Sequence, residues 1–107
     1  MAAAVATAAL AAAQARADTV AYLVNVAVRP GYGFADADAA LSYGHGICDK
    51  VAANRAYSAI VGDIQGDFFD TTDDFQVSYL ISQAVNELCP GLIWQLRRSA
   101  ANYTPVP

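Results

Sequence analysis

The sequence predicts an all-α domain, a small bundle of four to five short helices crosslinked by one disulfide. Three observations carry that reading. Apolar residues recur at spacings of three and four along most of the chain, capping residues and Gly or Pro breaks punctuate the period, and no stretch alternates apolar with polar long enough to build a sheet. The 107 residues make room for one domain.

The first 17 residues are small and weakly apolar and end in Ala15-Arg16-Ala17, the small-x-small pattern of an export signal, with cleavage expected before Asp18. The stretch carries no basic residue ahead of Arg16, and it is shorter than the roughly 20 apolar residues that span a bilayer. The expected layout is thus a signal over 1–17, one domain over 18–103 and a frayed tail over 104–107.

Thr19 to Val28 reads as the first helix, with Val20, Leu23, Val24 and Ala27 as its apolar stripe, ended by Arg29-Pro30-Gly31. Tyr32, Gly33 and Phe34 form an aromatic, flexible connection. Asp36 or Asp38 caps a second helix running to about Asn54, with Ala37, Leu41, Gly44, Cys48 and Val51 inward and Ala40 and Ile47 at the edges. Ala56 to Phe69 is the third, with Tyr57, Ile60, Val61, Ile64 and Phe68 on one side, weakened by Gly62 and Gly66. Thr71-x-x-Asp74 approximates a capping box for the fourth, in which Phe75, Leu80, Ile81, Ala84, Val85, Leu88 and Cys89 keep helical spacing until Pro90-Gly91 breaks it. Leu92 to about Ala101 completes the set, carrying Ile93, Trp94 and Leu96.

Cys48 and Cys89 are the only two cysteines, so one pairing exists, and in an exported chain they are expected to be bonded. Each falls on the apolar stripe of its helix. The alternative is a pair of buried free thiols in a reducing cytosol. A metal site fits less well, because the single His45 brings the set to three ligands without a CxxC spacing.

The second helix reads DADAALSYGHGIC from Asp36 to Cys48, and the fourth ends LISQAVNELCPGL from Leu80 to Leu92. This resembles the small secreted, mainly mycobacterial proteins of domain-of-unknown-function family 732, through Asp36, Asp38, Ala39, Ala40, Gly44, Cys48, Cys89 and Pro90. The resemblance covers roughly Thr19 to Trp94 and implies an exported, all-helical domain with its two cysteines bonded. It implies no activity. Gln95 to Pro107 and the Gly44-His45-Gly46 triplet depart from the family pattern.

Charge narrows the function classes. Ten acidic residues face six basic ones, or five once Arg16 is removed, and Arg29, Lys50, Arg55, Arg97 and Arg98 are scattered or paired, which argues against nucleic acid and anionic membranes. No nucleophile motif, nucleotide loop or calcium loop is present. His45 lacks catalytic partners and reads as a partly exposed helix residue. Gly44 reads as a close-packing position one turn before Cys48. Asp63, Asp67, Asp70, Asp73 and Asp74 are spaced as solvated, capping carboxylates.

The aromatics Tyr32, Phe34, Tyr43, Phe68, Phe69, Phe75, Tyr79, Trp94 and Tyr103 should mostly be core, with Trp94 beside Arg97 and Arg98 as the candidate interaction site, a composition typical of binding hot spots. The expected function is a non-catalytic interaction module outside the cytoplasm, with no cofactor and with an unknown protein or small ligand as partner. One alternative is a small-ligand or lipid carrier with an apolar cavity between helices. The other is an enzyme using an acidic pair such as Asp63 and Asp67, for which a raised carboxylate pKa in a cleft would be the sign.

Overall fold

The computed structural model describes residues 18–68 and 73–104. The expected signal over 1–17, the Thr71 capping box, Phe69, Asp70 and the last three tail residues lie outside the described residues. Among the described residues five α-helices follow one another: α1 Thr19–Ala27, α2 Ala37–Ala52, α3 Tyr57–Asp67, α4 Asp74–Gln83 and α5 Ile93–Ala100. Among the described residues there is no strand, and the all-α bundle crosslinked by one disulfide is what the structure shows.

The caps are those of short polar side chains. Asp18 Oδ1 accepts from Ala21 N at 2.9 Å, Asp36 Oδ1 from Ala39 N at 2.8 Å, and Asp73 Oδ1 from Phe75 N at 3.0 Å. Each satisfies an amide that the helix itself leaves without a partner. Asp36, not Asp38, is therefore the cap of α2. Helix α3 has no such residue at its own start, and Ser99 of α5 supplies the missing acceptor, taking the Tyr57 N–H at 2.9 Å.

Two apolar stripes face differently from their expected directions. In α1, Tyr22 and Val26 are buried, whereas Val20 and Val24 point outward at 68% and 57% exposure. Tyr22 tolerates full burial because its hydroxyl donates to Ala40 O at 2.8 Å, which removes the cost of an unpaired polar group. In α2 the buried set is Ala40, Gly44, Ile47, Cys48 and Val51, with Ala37 exposed and Leu41 half-buried, a rotation of about one residue. In α4, Val77 joins Leu80 and Ile81 in the core while Phe75 is 59% exposed.

The fourth helix also does not run uniformly to Cys89. Its last turn, Ala84–Leu88, is a π-helix, followed by a 3₁₀ turn over Pro90–Leu92. Cys89 leaves the helix at φ −144°, and Pro90, with no N–H to donate, bars its continuation. The π turn packs on both α1 and α2, bringing Ala84, Val85 and Leu88 into the core. Cys48 and Cys89 are bonded there, with Cα atoms 6.1 Å apart. The residue that caps α1 is tied to the same turn, the Asp18 N–H donating to Glu87 O.

Candidate functional site

Helix α5 presents the first candidate surface. Its inner side is fixed by three contacts: Leu96 is buried, Ser99 caps α3, and Gln95 Nε2 donates to Val51 O and Asn54 Oδ1, both at 2.7 Å. Asn54 sits just past the end of α2 at φ +63°, a conformation Asn tolerates, and Gln95 satisfies a terminal carbonyl of that helix. With residues 95, 96 and 99 turned inward, helical period turns Trp94, Arg97 and Arg98 outward. Trp94 is 70% exposed, and the Arg97 guanidinium lies over its indole at 5.0 Å from the ring centroid. Arg98 borders a neighbouring cleft with Arg55 and Gln95. The three residues singled out in the sequence thus share one exposed helix face.

A second candidate was not legible in the sequence. Between α1, the 28–36 connection and the start of α2 lies an open cleft of about 460 Å³, floored by Val26, Tyr32 and Ala40 and walled by Leu23, Phe34 and Ala37. Gly31 at φ +107° and Gly33 at φ +59° let the connection fold back over it, conformations that side-chain-bearing residues rarely adopt. Tyr32 donates its hydroxyl to Gln76 O at 2.5 Å, and burial pushes its pKa up to about 12, so it stays a neutral wall. Phe34, Tyr43 and Phe68 pack edge-on or tilted against one another behind it, with centroids 5.0 to 5.7 Å apart.

Arg29 stands at this cleft with its guanidinium 3.8 Å from the Tyr79 ring centroid and 5.3 Å from that of Phe75. Among the described residues its side chain has no hydrogen bond and no carboxylate partner. Stacking occupies the guanidinium face and leaves its in-plane N–H donors open.

The acidic residues are arranged for structure. Asp63 receives Arg55 through both oxygens, Nε at 2.8 Å and Nη2 at 2.9 Å, and Lys50 Nζ at 3.0 Å. These hydrogen bonds, Arg55 first and then Lys50, hold its carboxyl down at about 2, so Asp63 does not show the raised pKa that would favour the Asp63–Asp67 enzyme alternative. Asp67 accepts from the Tyr43 hydroxyl at 2.8 Å, and desolvation together with that bond pushes the Tyr43 pKa up. Among the described residues no group of three or more His, Cys, Asp or Glu is placed to hold a metal ion. His45 is exposed on α2 without a hydrogen-bond partner among the described residues.

Comparison with known families decides the relationship. The profile of the family described as "Protein of unknown function (DUF732)" matches residues 14–91. The chain belongs to the DUF732 family. No curated protein and no solved structure matches it. The matched region of this DUF732 chain contains both cysteines, Gly44 and the whole α1–α2 cleft, and it stops short of α5, so the Trp94 face lies beyond it. The disulfide of the DUF732 domain fits a non-cytoplasmic environment, and among its described residues no helix is long and apolar enough to cross a membrane.

Proposed function

We propose that this chain is an exported, non-catalytic protein-interaction module that acts outside the cytoplasm, in the secreted fraction or at the cell envelope, and engages its partner through the exposed face of α5. The observation that carries the reading is Trp94, a large aromatic held 70% exposed beneath the Arg97 guanidinium on a helix anchored from behind. Trp and Arg dominate binding hot spots, Trp because it buries much area with few rotamers to freeze and Arg because its planar guanidinium stacks and hydrogen-bonds at once, and a rigid support lowers the ordering cost further. Export is supported by the Ala-rich leader ending in Ala15-Arg16-Ala17 and by the Cys48–Cys89 bond.

A photoreactive phenylalanine analogue in place of Arg98, with Trp94 intact, tests the reading when the protein is produced in its own cells. A discrete crosslinked adduct that disappears in Trp94→Ala supports it. Labelling no stronger than from the same analogue at the exposed Asp49 overturns it. Intact mass of the recovered protein, beginning at Asp18 in the culture medium or remaining full length inside the cell, separately decides export.

A further inference from the structure

We propose that the α1–α2 cleft is a binding site for a free, single-chain anionic amphiphile, its apolar chain lying on Leu23, Val26, Phe34 and Ala40 and its carboxylate or phosphate head on Arg29. This site goes beyond the protein-interaction reading and stands apart from it, since α1 and α5 make no contact.

The volume of about 460 Å³ falls within the range of small-molecule pockets, and the lining has their composition, apolar side chains with one or two placed polar groups. The polar inventory of the cleft then specifies the head. The Tyr32 hydroxyl is committed to Gln76 O, and the Asp36 carboxylate is turned back onto the Ala39 N–H. Among the described residues, the charged donor of the cleft without an acceptor is Arg29, held in place by Tyr79 and Phe75. A guanidinium pre-positioned on two rings and open at its N–H edge matches a planar or tetrahedral oxyanion, which it can grip with two parallel bonds. Asp36, on the same cleft, repels an anionic head and confines it to the Arg29 end. The net charge of −4 does not prevent this, because screening limits distant charges to about 8 Å at physiological salt while Arg29 acts in contact.

An uncharged alcohol would gain the apolar contact without the head contact, and a cation would meet Arg29 unfavourably. A bilayer surface is disfavoured by geometry, since the cleft receives one chain and the surrounding connection offers Arg29 as its single basic residue.

The test is a titration of the oxidised, nitrogen-15-labelled protein with octanoate, decanoate and dodecanoate below their micelle concentrations, with decyl phosphate, decanol and decylamine in parallel. Saturable shifts are expected at Leu23, Ala27, Gly33 and Ala37. Affinity should rise by up to about fourfold per added methylene until the cleft is full, the transfer free energy of one buried CH₂ expressed as a ratio. Arg29→Gln should weaken decanoate and decyl phosphate about tenfold and leave decanol unchanged, while Ala37→Trp should weaken all three by filling the cleft. Thermal melts of both variants check that each is folded. Three results overturn the proposal: no saturable shift, decanoate binding insensitive to both variants, or binding only to anionic phospholipid vesicles and not to the free amphiphiles.

Discussion

Gly44 of α2 lies directly against the ring of Tyr22: a Cβ added at Gly44 would meet Tyr22 Cζ and its hydroxyl oxygen at 2.8 Å and Leu88 Cδ1 at 2.5 Å. The Leu88 methyl could rotate away. The Tyr22 ring could not, because it is fully buried and its hydroxyl is bonded to Ala40 O one turn earlier on the same helix. Gly44→Ala should therefore destabilise the fold by about 1 to 3 kcal/mol, the cost of overpacking a dense core. Gly46, two residues on, has nothing within 4 Å of an added Cβ, so Gly46→Ala should stabilise by about 0.5 to 1 kcal/mol through helix propensity alone. Urea midpoints of the two variants should move in opposite directions from wild type.

The disulfide joins the middle of α2 to the end of the π turn across 41 residues of chain. Closing a loop of that length in the unfolded state is worth about 4 kcal/mol in the chain-entropy picture, comparable with the whole net stability of a domain this small. The paired change Cys48→Ala and Cys89→Ala should leave the helices weakly stable. Urea unfolding with and without reductant checks this: the wild type should lose most of its midpoint on reduction, and the double variant should be indifferent to reductant.

Much of the architecture was legible, and the reasons for the exceptions are specific. Pro90 acts locally, so its breaking role could be read from position alone, and Asp36 was one of two candidate caps for α2; α4 is capped by Asp73, whereas the spacing had pointed to a Thr71-x-x-Asp74 box. The direction of the α1 stripe could not be read, since Val20-Val24 and Tyr22-Val26 have the same period, and what selects the second is the Ala40 carbonyl waiting for the Tyr22 hydroxyl. In α2 the alternation of Ala and Gly makes a one-residue rotation nearly neutral in hydrophobicity, and packing against Tyr22 and Leu88 decides it. The Trp94 face was legible because it needs only helical period within α5. The cleft was not, since Arg29, Tyr32 and Phe34 converge only after Gly31 and Gly33 turn the chain.

Asp63 gives the fold an acid-sensitive contact. Its folded pKa is lowered from 3.8 to about 2 by Arg55 and Lys50, so the ionised form is the one the fold favours. The stabilisation is thus fully present above pH 3.8 and is lost as pH falls toward 2. Because the contact lies at the surface, solvent and salt screen it and its worth is that of a surface ion pair. Asp63→Asn should lower the melting temperature at pH 6 and flatten its decline between pH 4 and 2, where the wild type falls more steeply. Equal slopes for the two proteins would show that the contact carries no linkage.

Trp94 and Leu96, two residues apart on α5, separate surface from core. Trp94 is 70% exposed and its nearest ring contact is Arg97, so Trp94→Ala should change stability by less than about 0.5 kcal/mol. Leu96 is 8% exposed and packs into the common core, and Leu96→Ala should cost about 2 to 5 kcal/mol. Chemical denaturation of both variants measures the contrast. Unchanged stability in Trp94→Ala together with loss of the Arg98-position crosslink would assign the residue to recognition. A stability loss as large as that of Leu96→Ala would instead make Trp94 a structural residue and leave α5 without its binding face.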